Sequence, residues 1–314
     1  MATRIVRAYS QYVPPPPDPD PGDTTPPPPT QGYPYPIFGS SVYDGAGAGT
    51  WAQQFDRSQV IFDGMAGVRI FVGFGGGCGN WTGGHVGTVL NKTRNMVIYH
   101  SFKDWNEGNI RTFFRTKPDD GRMVYTSYHH EPDGGRGVVD FPDPRVWVNR
   151  HVRVRQIWRE EGSRADIRLI PILIRHTLSK ASGRNIMDWM PADPPAVWDE
   201  FWMDAYGGGG ATSHPSVAGL LDPIVAHAKS IGLPWGIGEF GQALKTTHEA
   251  RATWITQYCN YAVQHKASGC MYWSATTSAD GFSSRIDEVG SEPEQNALAT
   301  FCVRSRQRNG ITRP

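Results

Sequence analysis

The chain has only four cysteines in 314 residues, Cys78, Cys259, Cys270 and Cys302, and no two of them are spaced as CxxC. That excludes a zinc ribbon and a disulfide-dense scaffold, and Cys259 and Cys270, set in apolar stretches, read as small core residues. No apolar run approaches the length of a membrane-spanning helix, and Met1-Ala-Thr-Arg-Ile-Val-Arg7 lacks the hydrophobic centre of a secretory leader. Net charge is nearly absent, at +1 from 31 basic and 30 acidic residues. No field of one sign therefore draws the protein to nucleic acid or anionic lipid, and the expected partner is neutral, with no nucleic acid and no membrane insertion. HExxH and G-x-S-x-G are missing, which removes the metalloprotease helix and the serine nucleophile elbow. His129 and His130 are adjacent, so as strand residues they face opposite ways and do not share an ion. The glycine-rich run from Gly73 to Gly79 fails as a dinucleotide cradle because Cys78 stands where the third glycine of GxGxxG belongs. No metal and no cofactor is expected.

Proline, by contrast, is concentrated: 12 of the 25 prolines fall between residues 14 and 36. Such a run favours polyproline II and forms no packed core, so residues 1–35 are expected to be a semi-rigid arm, able to tether the protein to a larger assembly. From Pro36 onward apolar strand patterns alternate with helical ones. The strand candidates are Ile37–Val42, Val68–Phe74, Met96–Ser101, Met123–Tyr128, Ile167–Ile174, Phe201–Ala205, Trp235–Glu239 and Gly269–Trp273. Helical patterns cover Trp51–Phe62, Pro144–Arg159, Pro215–Ser230 and His248–Gln264, the last opened by the capping-box pattern Thr246-Thr-His-Glu249. Eight strands alternating with helices predict an α/β fold, a (β/α)8 TIM barrel over residues 36–314.

Two of these strands end in an acid. Met123-Val-Tyr-Thr-Ser-Tyr128 runs into His129-His-Glu-Pro-Asp-Gly-Gly135, where Pro132, Gly134 and Gly135 stop any helix, so Glu131 sits at a strand's C-terminal end. Leu233-Pro-Trp-Gly-Ile-Gly-Glu-Phe-Gly241 places Glu239 in the same way. A barrel presents its chemistry at that face. Two carboxyls there suit glycoside hydrolysis, in which one stays protonated to serve the leaving oxygen and the other, ionised, attacks the anomeric carbon or activates water.

At these residues the sequence resembles the clan A retaining glycoside hydrolases. His130-Glu131 ending the fourth strand and Glu239-Phe-Gly241 ending the seventh look like that clan's acid/base and nucleophile. A His before the acid/base is similar to glycoside hydrolase family 26, the β-mannanase family. The resemblance implies catalytic roles for Glu131 and Glu239. It also implies that Tyr206 bonds the nucleophile, that Trp273 floors the cleavage subsite, and that His100 is a third-strand site histidine. His130 belongs to the same motif, and Trp105 and His176, on strand-to-helix loops, are further substrate-binding candidates. Arg69 lies early in its strand and is expected low in the barrel, where a core ion pair accounts for it. Departing from the family, Tyr125-Thr-Ser-Tyr128 stands where an arginine and a tryptophan usually precede the acid/base.

The expectation is a retaining, endo-acting hydrolase of a neutral polysaccharide, whether mannan, another β-glycan or a bacterial wall polymer, acting outside the cell or on a virion. Trp81, Trp105, Tyr128, Trp189 and Phe282 are the aromatic platforms such a cleft could use. The alternative is a non-catalytic carbohydrate-binding barrel serving as a cell-surface recognition subunit, for example of a phage tail.

Overall fold

A computed structural model describes residues 33–42, 49–73, 76–135, 137–208, 213–275, 283–288 and 290–313. Almost all of the proline-rich arm, and Phe282, lie outside the described residues. Among the described residues nine parallel strands form one sheet: β1 (Ile37–Ser41), β2 (Gly67–Val72), β3 (Val97–Phe102), β4 (Val124–Tyr128), β5 (Ile167–Leu169), β6 (Ile172–Ile174), β7 (Phe201–Asp204), β8 (Trp235–Phe240) and β9 (Gly269–Tyr272). Their order is β5-β4-β3-β2-β1-β9-β8-β7-β6, so the two edges are consecutive in the chain. β5 pairs with β4 and β6 with β7, and only Ile170 and Pro171 separate them. Pro171 has no N–H to give a ladder, which splits the expected fifth strand in two. The ring is a TIM barrel of eight staves, one of them broken.

Strand alternation sorts the side chains into two cores. Ile37, Val97, Tyr99, Tyr125, Ile172, Trp202 and Met271 fill the barrel, while Phe38, Ile98, Phe102, Val124, Tyr128, Ile237 and Cys270 face the helices. The interior floor is a cluster of rings: Tyr99 stacks on Tyr125 at 4.8 Å, and Trp202 meets both. These rings fit because their neighbours are glycines. A Cβ on Gly236 would stand 2.2 Å from the Trp202 ring, and one on Gly269 would stand 2.5 Å from the Tyr99 hydroxyl. Truncating Trp202 to alanine would cost about 3–5 kcal/mol.

The helices begin where their caps allow. Thr50 and Gln53 form a capping box at helix Trp51–Ile61, and Asp143 accepts from the Arg145 N–H ahead of helix Pro144–Glu160. Helix His248–Gln264 is capped by Thr247, which accepts from the Ala250 N–H. That corrects the expected box by one residue, because Thr246 lies outside the helix. Helix Val217–Ser230 matches the pattern expected over Pro215–Ser230, whereas helices Gly84–Lys92, Glu107–Arg115 and Glu292–Asn309 were not anticipated from the pattern.

Candidate active site

Helix Pro144–Glu160 fixes the tip of β4. The Trp147 indole N–H donates to the Tyr128 and His129 carbonyls at 3.2 and 3.0 Å. His151 Nε2 lies 2.9 Å from the same Tyr128 carbonyl, and Trp198 Nε1 donates to His151 Nδ1 at 3.0 Å. The Trp198 donor leaves Nδ1 as acceptor, so the proton sits on Nε2 and is given to Tyr128. Beyond this clamp the backbone enters the left-handed region twice, at His129 (φ 47°) and Glu131 (φ 54°). Each such residue costs about 1–3 kcal/mol unless its surroundings hold it. Glu131 is held by donating its N–H to the Ile172 carbonyl at 2.8 Å, across the barrel seam. The kink sends the two histidines to opposite sides. His129 lies against Phe141 and within 3.3 Å of Asp140, whereas His130 turns inward onto Phe71 at 5.1 Å.

Glu239 comes from β8 and is 4% exposed. Tyr206 donates its phenol O–H to Glu239 Oε2. Arg69 Nε stands 3.6 Å from Glu239 Oε1, while Arg69 Nη1 donates to the Ser101 hydroxyl at 2.6 Å. Arg69 is thus in a buried ion pair, as expected, but its partner is Glu239 at the strand tips and not a residue low in the barrel. Its guanidinium lies 4.5 Å over Phe71, and Trp273 meets Tyr206 edge-on at 5.5 Å. A register shift between β7 and β8 pairs Asp204 with Glu239 and sets a second buried carboxyl beside it.

Three carboxyls set this close are not all ionised together, because burial disfavours each charge and every charge repels the others. Burial first, and the charge of Glu239 second, push Glu131 up to about 8. Burial, then the charges of Glu239 and Glu131, hold Asp204 far above the usual carboxylate range. Burial also raises Glu239, but Arg69 and then Tyr206 oppose the rise. The single charge therefore settles on Glu239, which alone has both the ion-pair partner and the phenol donor, and Glu131 and Asp204 keep their protons at neutral pH. His130 is held neutral by burial and by the positive Arg69.

The structure brings together Glu131, Glu239, His130, Tyr206 and Trp273. It places His100 elsewhere: even-numbered residues of β3 face the helices, and His100 stacks on Phe113 at 4.8 Å with Nδ1 2.9 Å from the Thr126 hydroxyl. Trp105 packs edge-on to Tyr128 beneath Arg150, and His176 is exposed on a short 3-10 turn. Three of the expected platforms are buried in the helix layer. Trp81 stacks on Phe113 and donates to its carbonyl, Trp189 packs on Trp147, and Tyr128 lies under Arg150. Sequence reasoning missed Asp204, although an acid ending a strand was the signal used for the other two, and it also missed Trp51 and His85. Their rings stack at 4.4 Å and, with Ser41, Val42, Arg69, Phe71, Trp273 and Ala275, line a cavity of about 210 Å³ beside Glu239. Among the described residues no group of three His, Cys, Asp or Glu is arranged to hold a metal ion.

No protein-family profile and no curated protein matches the chain. Solved structures do. XacCel5A, also solved with cellopentaose, is 12% identical over 86% of this chain and 99% of its own, with a TM-score of 0.57. A GH5-4 broad specificity endoglucanase from Clostridium acetobutylicum is 15% identical over 85% and 96%, also at 0.57. The GH26 domain of an endo-β-mannanase/endo-β-glucanase from Prevotella bryantii is 12% identical over 86% and 89%, at 0.55. At these identities the likeness establishes the fold.

Proposed function

We propose that the protein is a retaining β-glycoside hydrolase that cleaves within a neutral polysaccharide. The observation that carries this reading is the division of charge at the strand tips. Glu131 is kept protonated beside Glu239, and Glu239 is the carboxyl that Arg69 and Tyr206 favour in its ionised form. Two carboxyls with separated roles are the requirement of glycosidic bond cleavage.

In the first step Glu131 gives its proton to the glycosidic oxygen while Glu239 attacks the anomeric carbon, so that the leaving sugar departs and a glycosyl ester forms on Glu239. In the second, Glu131, now a carboxylate, takes a proton from water as that water attacks the same carbon and releases Glu239. Loss of the Glu131 proton to the leaving group is eased by the simultaneous loss of charge on Glu239, since the repulsion that raised Glu131 disappears as the ester forms. Retention needs the two carboxyls about 5–5.5 Å apart, against about 6.5–9.5 Å for an inverting pair, so the stereochemistry of the first-formed product tests the two-step route directly.

The fold likeness is to proteins described as endoglucanases and as an endo-β-mannanase/endo-β-glucanase, which supports action within a β-linked chain. The His130-Glu131 pair supports a place near family 26. Incubation with mannan, other neutral β-glycans and bacterial wall polymers, followed by product analysis over time, tests the proposal. A ladder of intermediate oligosaccharides from one polymer is expected. Release of one small product from the first minutes would end the endo-acting reading, and binding without new reducing ends on every polymer would favour the carbohydrate-binding barrel.

A further inference from the structure

At the broken stave the barrel wall is closed in part by a side chain. Ile170 still donates its N–H to the Thr126 carbonyl of β4 at 3.0 Å, and the next rung is Glu131, whose N–H goes to the Ile172 carbonyl at 2.8 Å. The rung after that is not backbone to backbone: the Ile174 N–H donates to both carboxyl oxygens of Asp133, at 3.0 and 3.2 Å. Asp133 is fully buried, and the two-step chemistry gives it no role. Its hold reaches Glu131 through two tight turns, in which the Gly134 N–H donates to the Glu131 carbonyl at 3.2 Å and the Gly137 N–H to the Gly134 carbonyl at 2.7 Å. The turn lies flat on β6, since a Cβ on Gly134 would stand 2.8 Å from Ile174 Cδ1. Glu131 sits at φ 54°, a conformation that persists only where its surroundings impose it, and two of the bonds that do so end on β6.

Resting on the glycosidase reading for the role of Glu131, we infer that Asp133 is its positioning residue: by standing in for a strand carbonyl opposite Ile174, it fastens the turn that carries the acid and keeps the Glu131 carboxyl at the strand tips beside Glu239. A charged acceptor suits this better than a neutral one, because hydrogen bonds to a carboxylate are about twice as strong. The charge has a second effect. Glu131 is faced by Glu239 from β8, Asp204 from β7, Tyr206 just beyond β7, Arg69 from β2 and Asp133 from its own turn. Asp133 in turn is faced by Glu131, by Asp204, and by Thr177 and Arg184 from the segment between β6 and β7. Burial pushes Asp133 up to about 6, opposed by Thr177, the Ile174 N–H and the charge of Arg184. It is therefore ionised through the range in which Glu131, held up to about 8 by burial, then by Glu239 and then by Asp133, still keeps its proton.

Two substitutions separate the tie from the charge. Asp133→Ala removes both, whereas Asp133→Asn keeps an oxygen for the Ile174 N–H and removes the charge alone. The probes are dinitrophenyl and methoxyphenyl β-glycosides of mannobiose, cellobiose and xylobiose, of which the first kind releases a leaving group that needs no proton and the second one that does. On the methoxyphenyl glycoside that wild type cleaves, kcat/KM should fall about a hundredfold in Asp133→Ala, the loss that a misplacement of about 1 Å brings, while the dinitrophenyl value stays close to wild type. Asp133→Asn should recover most of that loss and move the alkaline limb to lower pH, because Glu131 has lost a negative neighbour. No loss, or equal losses on the two glycosides, as general weakening of the barrel would give, would overturn the positioning role. Carbon-13 titration of the Glu131 carboxyl needs no substrate and does not depend on the alanine variant folding: its midpoint should be lower in Asp133→Asn than in wild type, and an unchanged or higher midpoint would count against the inference. A protein that cleaves the glycosides with that midpoint unmoved would end the role of Asp133 and leave the glycosidase standing. A wild type that cleaves no glycoside or glycan, with the midpoint lowered in the variant, would end the glycosidase and leave Asp133 coupled to Glu131.

Discussion

Replacing Tyr206 with phenylalanine removes one oxygen and one specific effect. The phenol donates to Glu239 Oε2, and its own proton is secure because burial and the neighbouring carboxyls push the phenol well above its ordinary value. A hydrogen bond to a charged group contributes about 1.5–3 kcal/mol. It acts on the ionised form of Glu239, so its loss favours the protonated form and raises the carboxyl; at about 1.4 kcal/mol per pH unit, the shift is about 1–2 units upward. A nucleophile must be ionised, so the acidic limb of kcat/KM should move toward neutral pH by that amount. The limb reports the carboxyl cluster as a whole, and the comparison between variant and wild type isolates the phenol. The assay is kcat/KM against pH on whichever glycan is cleaved, supported by carboxyl carbon-13 titration, which needs no substrate. An acidic limb that stays in place, or that moves toward lower pH, would refute the assignment of Tyr206 as the donor that keeps Glu239 charged.

Other outcomes follow from the same geometry. An alkaline limb is expected near pH 8, where Glu131 loses its proton, and Glu131→Gln should abolish it, with the rate recovered best on substrates whose leaving groups need no protonation; an alkaline limb that persists assigns the acid elsewhere. Glu239→Ala should lose turnover and regain it with azide, giving a glycosyl azide of inverted configuration, whereas rescue at Glu131→Ala instead would exchange the two roles. At the barrel floor Glu200 accepts from the Trp202 indole at 2.8 Å, and burial pushes it up from 4.5 to about 7. A carboxyl raised in the folded state costs stability as pH rises from about 4.5 through about 7, in total about 3–3.5 kcal/mol. Glu200→Gln keeps the acceptor and should flatten the fall in melting temperature over that window; equal slopes for variant and wild type would count against a neutral Glu200.

The strands were legible because period-two alternation and apolar runs survive in a single sequence, and all eight candidates overlap a strand. What escaped was governed by features that alternation does not carry. Pro171 breaks the fifth strand through its missing N–H. Helix Gly84–Lys92 opens on glycine and contains a second, which hides it, although Ile110, Phe113 and Phe114 at helical spacing could have announced helix Glu107–Arg115. At the site, strand parity explains the main error. Val97, Tyr99 and Ser101 face the barrel, so His100 had to face out, and likeness to a family suggested the opposite. Arg69 shares the parity that puts Gly67 and Phe71 inside, and its length lets a guanidinium from mid-strand reach a carboxyl at the rim. Asp204 ends its strand as the two glutamates do and was legible by that signal, but its place opposite Glu239 follows from the register shift against β8.

In a double displacement Glu239 becomes covalently bonded to the sugar. Incubation with an activated 2-deoxy-2-fluoro glycoside of the preferred sugar slows release of the ester more than its formation, and proteolysis with mass spectrometry then locates the label. One sugar per chain is expected, on the peptide that contains Glu239. A label on Glu131 or Asp204, or no covalent adduct from a glycoside that the protein demonstrably cleaves, would contradict it.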